Sequence, residues 1–265
     1  MIPSSGVGLH EFEVVSNEEV ATSTWRLVLR APALAGSIRP GQFMNLEVPG
    51  DPSHPLRIPL SFASADAVAG TVDLVYAVVG EGTERLSHMA PGQRSTAVGP
   101  SGHGWRLPEP VPVRVLLVAG GVGAPPIVAA AGMLAGEGVP FAAVLGAQTA
   151  SRLWGEERLS SLGAGTVLVT TDDGSRGIKG FTTDAMSRLL GERDYGLVMS
   201  CGPQPMMAGV ARLARAAGIA CQVSTERMMG CGFGACNSCN VTMAAGGYRS
   251  CCSDGPVFDA EELAW

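Results

Sequence analysis

Residues 113–136 read VRVLLVAGGVGAPPIVAAAGMLAG, and this stretch decides the architecture. An apolar run over 113–119 predicts a buried strand. The turn Gly121-Val122-Gly123-Ala124-Pro125-Pro126 follows, and Ala and Met spacing predicts a helix over 127–136. Strand, glycine turn and helix form the repeating unit of a parallel α/β sheet. Such a turn lets a pyrophosphate approach the helix N-terminus, where free N–H groups and the helix dipole favour anions. Proline suits the first helical turn. Position 126 is Pro, so the third glycine of a Rossmann fingerprint is missing, and the motif alone fits an ordinary strand–helix turn equally well.

Downstream, strands alternate with helices. Strands are expected over 141–145, 166–170 and 196–200, and helices over 183–190 and 204–217. That alternation predicts a doubly wound parallel sheet. Cys201-Gly202-Pro203 ends a later strand, at the carboxyl edge where open α/β sheets bind ligands. Upstream, the period changes to two. Phe12 and Val14, then Trp25, Leu27 and Leu29, then Met44, Leu46 and Val48, then Val72, Leu74, Tyr76 and Val78 alternate with other residues. With turn signals at Pro40-Gly41 and Pro91-Gly92, this predicts an antiparallel β-barrel or sandwich. The proline-rich joint at 108–112 divides the two. The expected domains are residues 1–109, 110–222 and a glycine- and cysteine-rich segment over 223–265.

The last segment carries the most specific chemistry. Cys231-x4-Cys236-x2-Cys239 is followed by the pair Cys251-Cys252. Four soft thiolates converging together suit zinc or an iron–sulfur cluster. The C-x4-C-x2-C…C spacing is that of plant-type [2Fe–2S] sites, whereas structural zinc commonly uses paired short spacings. Gly230, Gly232 and Gly234 allow the sharp turns and the N–H···S contacts that a cluster loop needs. A third candidate site lies in the barrel. Gly80, Gly82 and Thr83 precede a short helix expected over 84–88, which Thr83 can cap, and the loop N–H groups can take a phosphate. The extended segment Arg57-Ile58-Pro59-Leu60-Ser61 adds a guanidinium and a hydroxyl.

Composition narrows the class. With 265 residues and 46% hydrophobic content, two ordinary domains are within reach. The net charge of −6, without a run of Lys or Arg, argues against a nucleic-acid partner. The apolar stretch over 111–135 is broken by three glycines and two prolines, so it does not read as a membrane span. Met1 to His10 carries no secretory pattern, and seven cysteines without an export signal point to reduced thiols in the cytoplasm.

With these motifs in place, the chain resembles the electron-transfer subunits of two-subunit, NAD-dependent dihydroorotate dehydrogenases, within the ferredoxin–NADP reductase superfamily. The resemblance rests on Gly41-Gln42-Phe43 and Tyr76-x3-Gly80-x-Gly82-Thr83, and on residues 117–123 with Gly120, Gly121 and Gly123. Cys201-Gly202-Pro203-x-Pro205-Met206 also matches. Asp172-Asp173-Gly174-Ser175, Lys179-Gly180-Phe181 and Asp254-Gly255-Pro256-Val257-Phe258 are more particular to these subunits. It implies FAD in the barrel, NAD on the α/β domain and [2Fe–2S] in the tail. FAD contacts are then expected from Arg57, Ile58, Pro59, Leu60, Ser61, Val75, Tyr76, Ala77, Gly80, Gly82 and Thr83. Cys252 becomes the fourth cluster ligand, because one residue, Ser253, separates it from Asp254-Gly-Pro-Val-Phe as in the family's pattern, and Cys251 is left as a spare thiol. No catalytic acid or nucleophile is expected of the chain itself. The implied partner is a flavin-containing catalytic subunit in a hetero-oligomer, the electron acceptor is NAD, and the setting is pyrimidine biosynthesis. The same module could instead serve a sulfide-dehydrogenase-like or ferredoxin-linked reductase. A zinc-stabilised binding protein is the reading from another class. Two positions depart from the family's pattern: Ile58 stands where it has an Arg for the flavin pyrophosphate, and Ala77 stands where an Arg is frequent. Each lost charge-assisted contact is expected to weaken FAD binding by ~1.5–3 kcal/mol.

Overall fold

The computed structural model describes residues 6–49 and 56–265. Residues 1–5 and 50–55 lie outside the described residues, and the reading of Met1–His10 falls partly on them. The first part is a closed barrel of six antiparallel strands: β1 (Gly8–Ala21), β2 (Thr24–Arg30), β3 (Phe43–Leu46), β4 (Ile58–Asp66), β5 (Thr71–Ala77) and β6 (Arg94–Ser101). Their spatial order is β1-β2-β5-β4-β3-β6. A short helix α1 (Pro32–Ala35) follows β2, and α2 (Glu81–Ser87) follows β5. Phe12, Val14, Leu27, Leu29, Met44, Leu46, Val72, Leu74 and Tyr76 fill the barrel core. The period-two pattern therefore identified its inward face. On β5 the alternation is lost in the structure, because Asp73 and Val75 on the other face are buried as well.

The second part is a sheet in the order β10-β9-β8-β7-β11-β12-β15. Its parallel strands are β7 (Val115–Gly120), β8 (Phe141–Ala147), β9 (Val167–Thr171), β10 (Ile178–Lys179), β11 (Leu197–Cys201) and β12 (Ala220–Ser224). Helices α3 (Ala124–Gly136), α4 (Glu156–Ser161), α5 (Thr182–Glu192) and α6 (Gln204–Ala216) cover it. Strands β7 and β11 are adjacent, so the strand order reverses between them and opens the crevice where such sheets take ligands. Strands β10 and β12 and helix α4 were not expected from the sequence in this sheet: β10 and α4 are too short to show a period, and β12 runs into the glycine- and cysteine-rich stretch.

The cysteine segment holds the hairpin β13 (Asn240–Thr242) and β14 (Tyr248–Ser250). It then returns as β15 (Val257–Asp259), antiparallel to β12 at the sheet edge. The residues 254–258 explain this return. Asp254 accepts a hydrogen bond from the Ser250 N–H at 2.7 Å, and Phe258 is fully buried. The Pro256 carbonyl accepts from the Thr225 N–H, and the Gly255 carbonyl from the His103 N–H. The segment is thereby pinned to the sheet and to the end of the barrel at once.

Barrel and sheet meet across a broad face. Helix α3 lies against β4, and the Trp105 indole donates to the Pro126 carbonyl at 3.1 Å. The Arg26 guanidinium forks onto Asp73 at 2.8–3.1 Å, and Arg158 from α4 reaches the same carboxylate at 3.2 Å and Ser64 at 3.2 Å. This pairing accounts for the burial of Asp73: a carboxylate turned away from water is stable only when cations and donors replace its hydration.

Candidate cofactor sites

A cavity of about 770 Å³ opens between the three parts of the molecule. Its barrel wall contains all eleven positions expected to contact FAD: Arg57, Ile58, Pro59, Leu60, Ser61, Val75, Tyr76, Ala77, Gly80, Gly82 and Thr83. The glycine turn after β7 contributes Val122 and Pro125, and the segment before the cysteines contributes residues 225–229. The volume falls within the range of small-molecule and cofactor pockets. Sequence reasoning missed this last wall, because residues 225–229 carry no period and no motif.

The individual groups have different tasks. The Tyr76 hydroxyl donates to Asn17 at 3.2 Å, and Asn17 in turn donates to the carbonyls of Leu86, Ser87 and Met89 at the end of α2. Burial raises the Tyr76 pKa well above its ordinary value, so the phenol stays neutral. Thr83 stands at the third position of α2 rather than as its cap, since the helix begins three residues earlier than expected. Its hydroxyl accepts the N–H groups of Val79 at 2.9 Å and Gly80 at 3.2 Å. Those two donors are therefore consumed within the chain. The first-turn N–H groups of Gly82 and Thr83 make no hydrogen bond among the described residues. The Ser61 hydroxyl also has no partner there, and it faces the cavity.

Arg57 stands just before β4, and Ile58 is the first residue of that strand. The Arg57 guanidinium is committed to the Thr96 carbonyl at 2.8 Å, the Thr96 hydroxyl at 2.9 Å and Glu47 at 3.1 Å. Arg57 lines the cavity, but its charge is used on the barrel surface. Ile58 is the residue that approaches the loop: its Cδ1 lies 3.3 Å from where a Cβ on Gly82 would stand.

Gly120 and Gly123 meet Pro203, Cys201 and Gly202 at the reversal of strand order. A Cβ on Gly120 would run into the Met206 side chain, and one on Gly123 into the Cys201–Gly202 backbone. Gly121 has φ +54 and open space beyond, which is the form of a turn exposed to a ligand. The Glu226 carbonyl accepts from Arg227 at 2.9 Å, and its carboxylate makes no hydrogen bond or ion pair among the described residues. It is accessible at the cavity yet ringed by protein, and that desolvation pushes its carboxyl above the ordinary range. Burial first, and then the charge of Glu226, raises the Cys201 thiol. Cys201 is thus a neutral thiol in the crevice.

The cysteine loop has the form of a cluster cradle. The N–H of Gly234 points at Cys252 Sγ at 3.1 Å, that of Ala235 at Cys231 Sγ at 3.3 Å, and that of Cys231 at Cys236 Sγ at 3.4 Å. The Cys252 N–H points at Cys239 Sγ at 3.4 Å. Backbone donors aimed at sulfur stabilise anionic thiolates and sulfides. These N–H groups link Cys231 to Cys236 and Cys252 to Cys239, and Gly234 ties the first stretch to Cys252. Among the described residues, no three His, Cys, Asp or Glu side chains converge on a single-ion position. Thiols with backbone N–H groups aimed at them fit an iron–sulfur cluster, which Cys231, Cys236, Cys239 and Cys252 would hold. Cys251 is turned away: its Sγ lies 3.4 Å from both the hydroxyl and the carbonyl of Thr225, and it is fully buried.

The barrel, the doubly wound sheet and the cavity between them define a ferredoxin-reductase-type fold. The same arrangement occurs in the solved structure of an NADH-dependent reduced ferredoxin-NADP oxidoreductase, with a TM-score of 0.87 and 32% identity over 96% of this chain and 90% of that one. A ferredoxin reductase in carbazole 1,9a-dioxygenase shares the fold at a TM-score of 0.66 and 20% identity, over 82% of this chain and 68% of that one. Residues 226–264 match the family described as the iron–sulfur cluster binding domain of dihydroorotate dehydrogenase B. The dihydroorotate dehydrogenase B (NAD(+)) electron transfer subunit of Geobacillus thermodenitrificans is 36% identical over 260 residues, covering 97% of this chain and 99% of that protein. Its counterpart in Listeria monocytogenes is 35% identical over 257 residues, covering 96% and 98%. The chain belongs to this family of electron transfer subunits.

Proposed function

We propose that this chain passes electrons from a dihydroorotate-oxidising flavoprotein subunit through a [2Fe–2S] cluster and FAD to NAD⁺, as one part of a hetero-oligomer in cytoplasmic pyrimidine biosynthesis. The observation that supports this is the cavity walled by the barrel, the glycine turn and residues 225–229, which would seat FAD between the nucleotide crevice and the cysteine segment. In this reading residues 1–109 hold FAD, 110–222 hold NAD, and 223–265 hold the cluster through Cys231, Cys236, Cys239 and Cys252. When bound, FAD supplies the exchange between one-electron and hydride chemistry. The chain's own residues bind and orient. Tyr76 and Val75 form the cavity wall, Ser61 and the N–H groups of Gly82 and Thr83 offer hydrogen bonds, and Gly120–Gly123 with Cys201–Pro203 admit the dinucleotide. Glu226, desolvated where the cavity meets the crevice, is placed to hold a proton.

A second reading keeps the module and changes the electron donor, and the likeness to the ferredoxin-NADP oxidoreductase structure favours it. Coexpression with a dihydroorotate-oxidising subunit separates the two. A stable complex that forms orotate and NADH supports the first reading, and no complex and no orotate support the second. Visible absorption of anaerobically purified protein, with iron and sulfide assays, tests the cofactor set. A colourless, zinc-loaded chain would remove both.

A further inference from the structure

Asn45 is a polar side chain in a place where the barrel alone gives it little to do. It is 2% exposed. It sits on β3, where the pairing with β6 slips between Phe43 and Asn45. Its amide reaches the Val98 carbonyl at only 3.5 Å, a weak bond for a buried donor. What fills the rest of its surroundings is the cysteine loop. Nδ2, Cγ and Oδ1 of Asn45 all lie within 2.6 Å of the point where a Cβ on Gly232 would stand. Gly232 is buried, has φ +77, and follows Cys231 directly. The carboxamide thus occupies the space that a side chain at 232 would take.

The same strand carries the flavin side of this contact. Phe43, two residues earlier and on the same face, lines the cavity. It is also part of the buried cluster that contains Cys239, Cys251 and Cys252. Phe43 and Asn45 together therefore join the flavin wall to both halves of the cysteine segment. Gly232 without a side chain and Asn45 with a planar one fit each other, and neither feature is explained by the barrel.

We infer that Asn45 is a positioning residue for the iron–sulfur loop: its carboxamide, stacked on Gly232, seats the loop on the FAD barrel and fixes where the cluster stands relative to the flavin cavity. Groups outside the ligand set that orient it commonly alter metal affinity by 10–100-fold when removed. This inference rests on the [2Fe–2S] reading of the four cysteines.

The test uses the full chain carrying its cofactors, as wild type, Asn45→Ala, Asn45→Asp, Gly232→Ala and Asn45→Ala/Gly232→Ala. The readouts are iron release to a chelator, the electron paramagnetic resonance spectrum of the reduced cluster, its midpoint potential, and flavin content. Asn45→Ala is expected to release iron about 10-fold faster and to broaden the resonance, with flavin content unchanged. Asn45→Asp keeps the shape and is expected to lower the potential, because a buried negative charge opposes reduction. Gly232→Ala alone should lose its cluster, and the double variant should retain more of it than that single variant. Iron release and spectrum equal to wild type in Asn45→Ala would overturn the inference, as would flavin loss in step with iron loss, which would make Asn45 a barrel residue only. A wild-type chain that binds no iron overturns the cluster reading itself and the inference with it.

Discussion

The carbonyl carbon and oxygen of Cys201, with the nitrogen of Gly202, lie within 2.7 Å of the point where a Cβ on Gly123 would stand. The glycine turn after β7 and the end of β11 are thus in backbone contact at the reversal of strand order. The contact closes the floor of the crevice, and it leaves no volume for a methyl group.

Gly123→Ala is expected to destabilise the chain by about 2 kcal/mol, the cost of forcing an extra carbon into a packed site. Backbone rather than a flexible side chain must move, so the crevice should deform. Urea unfolding measures the first effect. A raised KM for NADH with cluster and flavin content intact measures the second. Gly121→Ala serves as contrast, since nothing stands within 4 Å there and only its φ of +54 is strained.

Restoring an arginine at the cavity should tighten the flavin. Ile58 faces Gly82, so Ile58→Arg would set a guanidinium beside the N–H groups of Gly82 and Thr83, which have no partner among the described residues. A gain of ~1.5–3 kcal/mol in FAD binding is expected, read as slower flavin loss on dilution or gel filtration. Arg57→Ala should leave FAD retention nearly unchanged, because that guanidinium serves Glu47 and Thr96.

The ionic contact between barrel and sheet should be graded. Asp73 is about 9% exposed on its side chain, with Arg26 and Arg158 at 34% and 41%. Arg26→Ala removes a forked contact and is expected to cost about 2–3 kcal/mol, below the full value for a buried pair because the guanidinium is partly in water. Arg158→Ala removes one contact to Asp73 and is expected to cost about 1 kcal/mol. A double-mutant cycle by denaturant unfolding checks the order and the coupling.

Glu226 gives the cofactor-free chain a pH signature. Its folded pKa is raised by desolvation, so the folded state binds this proton more tightly than the unfolded state does. Stability from this group is full below the ordinary glutamate pKa and falls as pH rises from there through the raised value. Glu226→Gln should remove that slope and should be more stable than wild type at the alkaline end of the window. Urea midpoints at a series of pH values decide it, and equal slopes in the two proteins would refute it.

Thiol accessibility offers a last check once the cluster has been removed. Cys236 is exposed and Cys231 half-exposed, whereas Cys201, Cys221 and Cys251 are buried. Burial pushes the Cys221 thiol up to about 12 and that of Cys251 up to about 11. Alkylation at neutral pH should therefore mark Cys231 and Cys236 first, with Cys201, Cys221 and Cys251 modified only on unfolding. Mass spectrometry of peptides reads the order.

Much of this protein is local, and local features are what a sequence carries. The inward face of the barrel was legible in the period-two runs ending at Leu29, Val48 and Val78, because a strand alternates its side chains whatever lies around it. The α/β part was legible from residues 113–136, because a glycine turn between an apolar strand and a helix has few other uses. The cysteine spacing proposed a cluster, since ligand spacing follows from the loop that must wrap it. Tertiary structure alone decided the rest. Burial of Asp73 needed Arg158 from 85 positions away. The third wall of the cavity needed residues 225–229 to be folded against the barrel, and the match of Asn45 to Gly232 needed two segments without a shared motif to meet. Contacts between distant segments depend on how the packed faces dock, and no period or spacing along the chain records that.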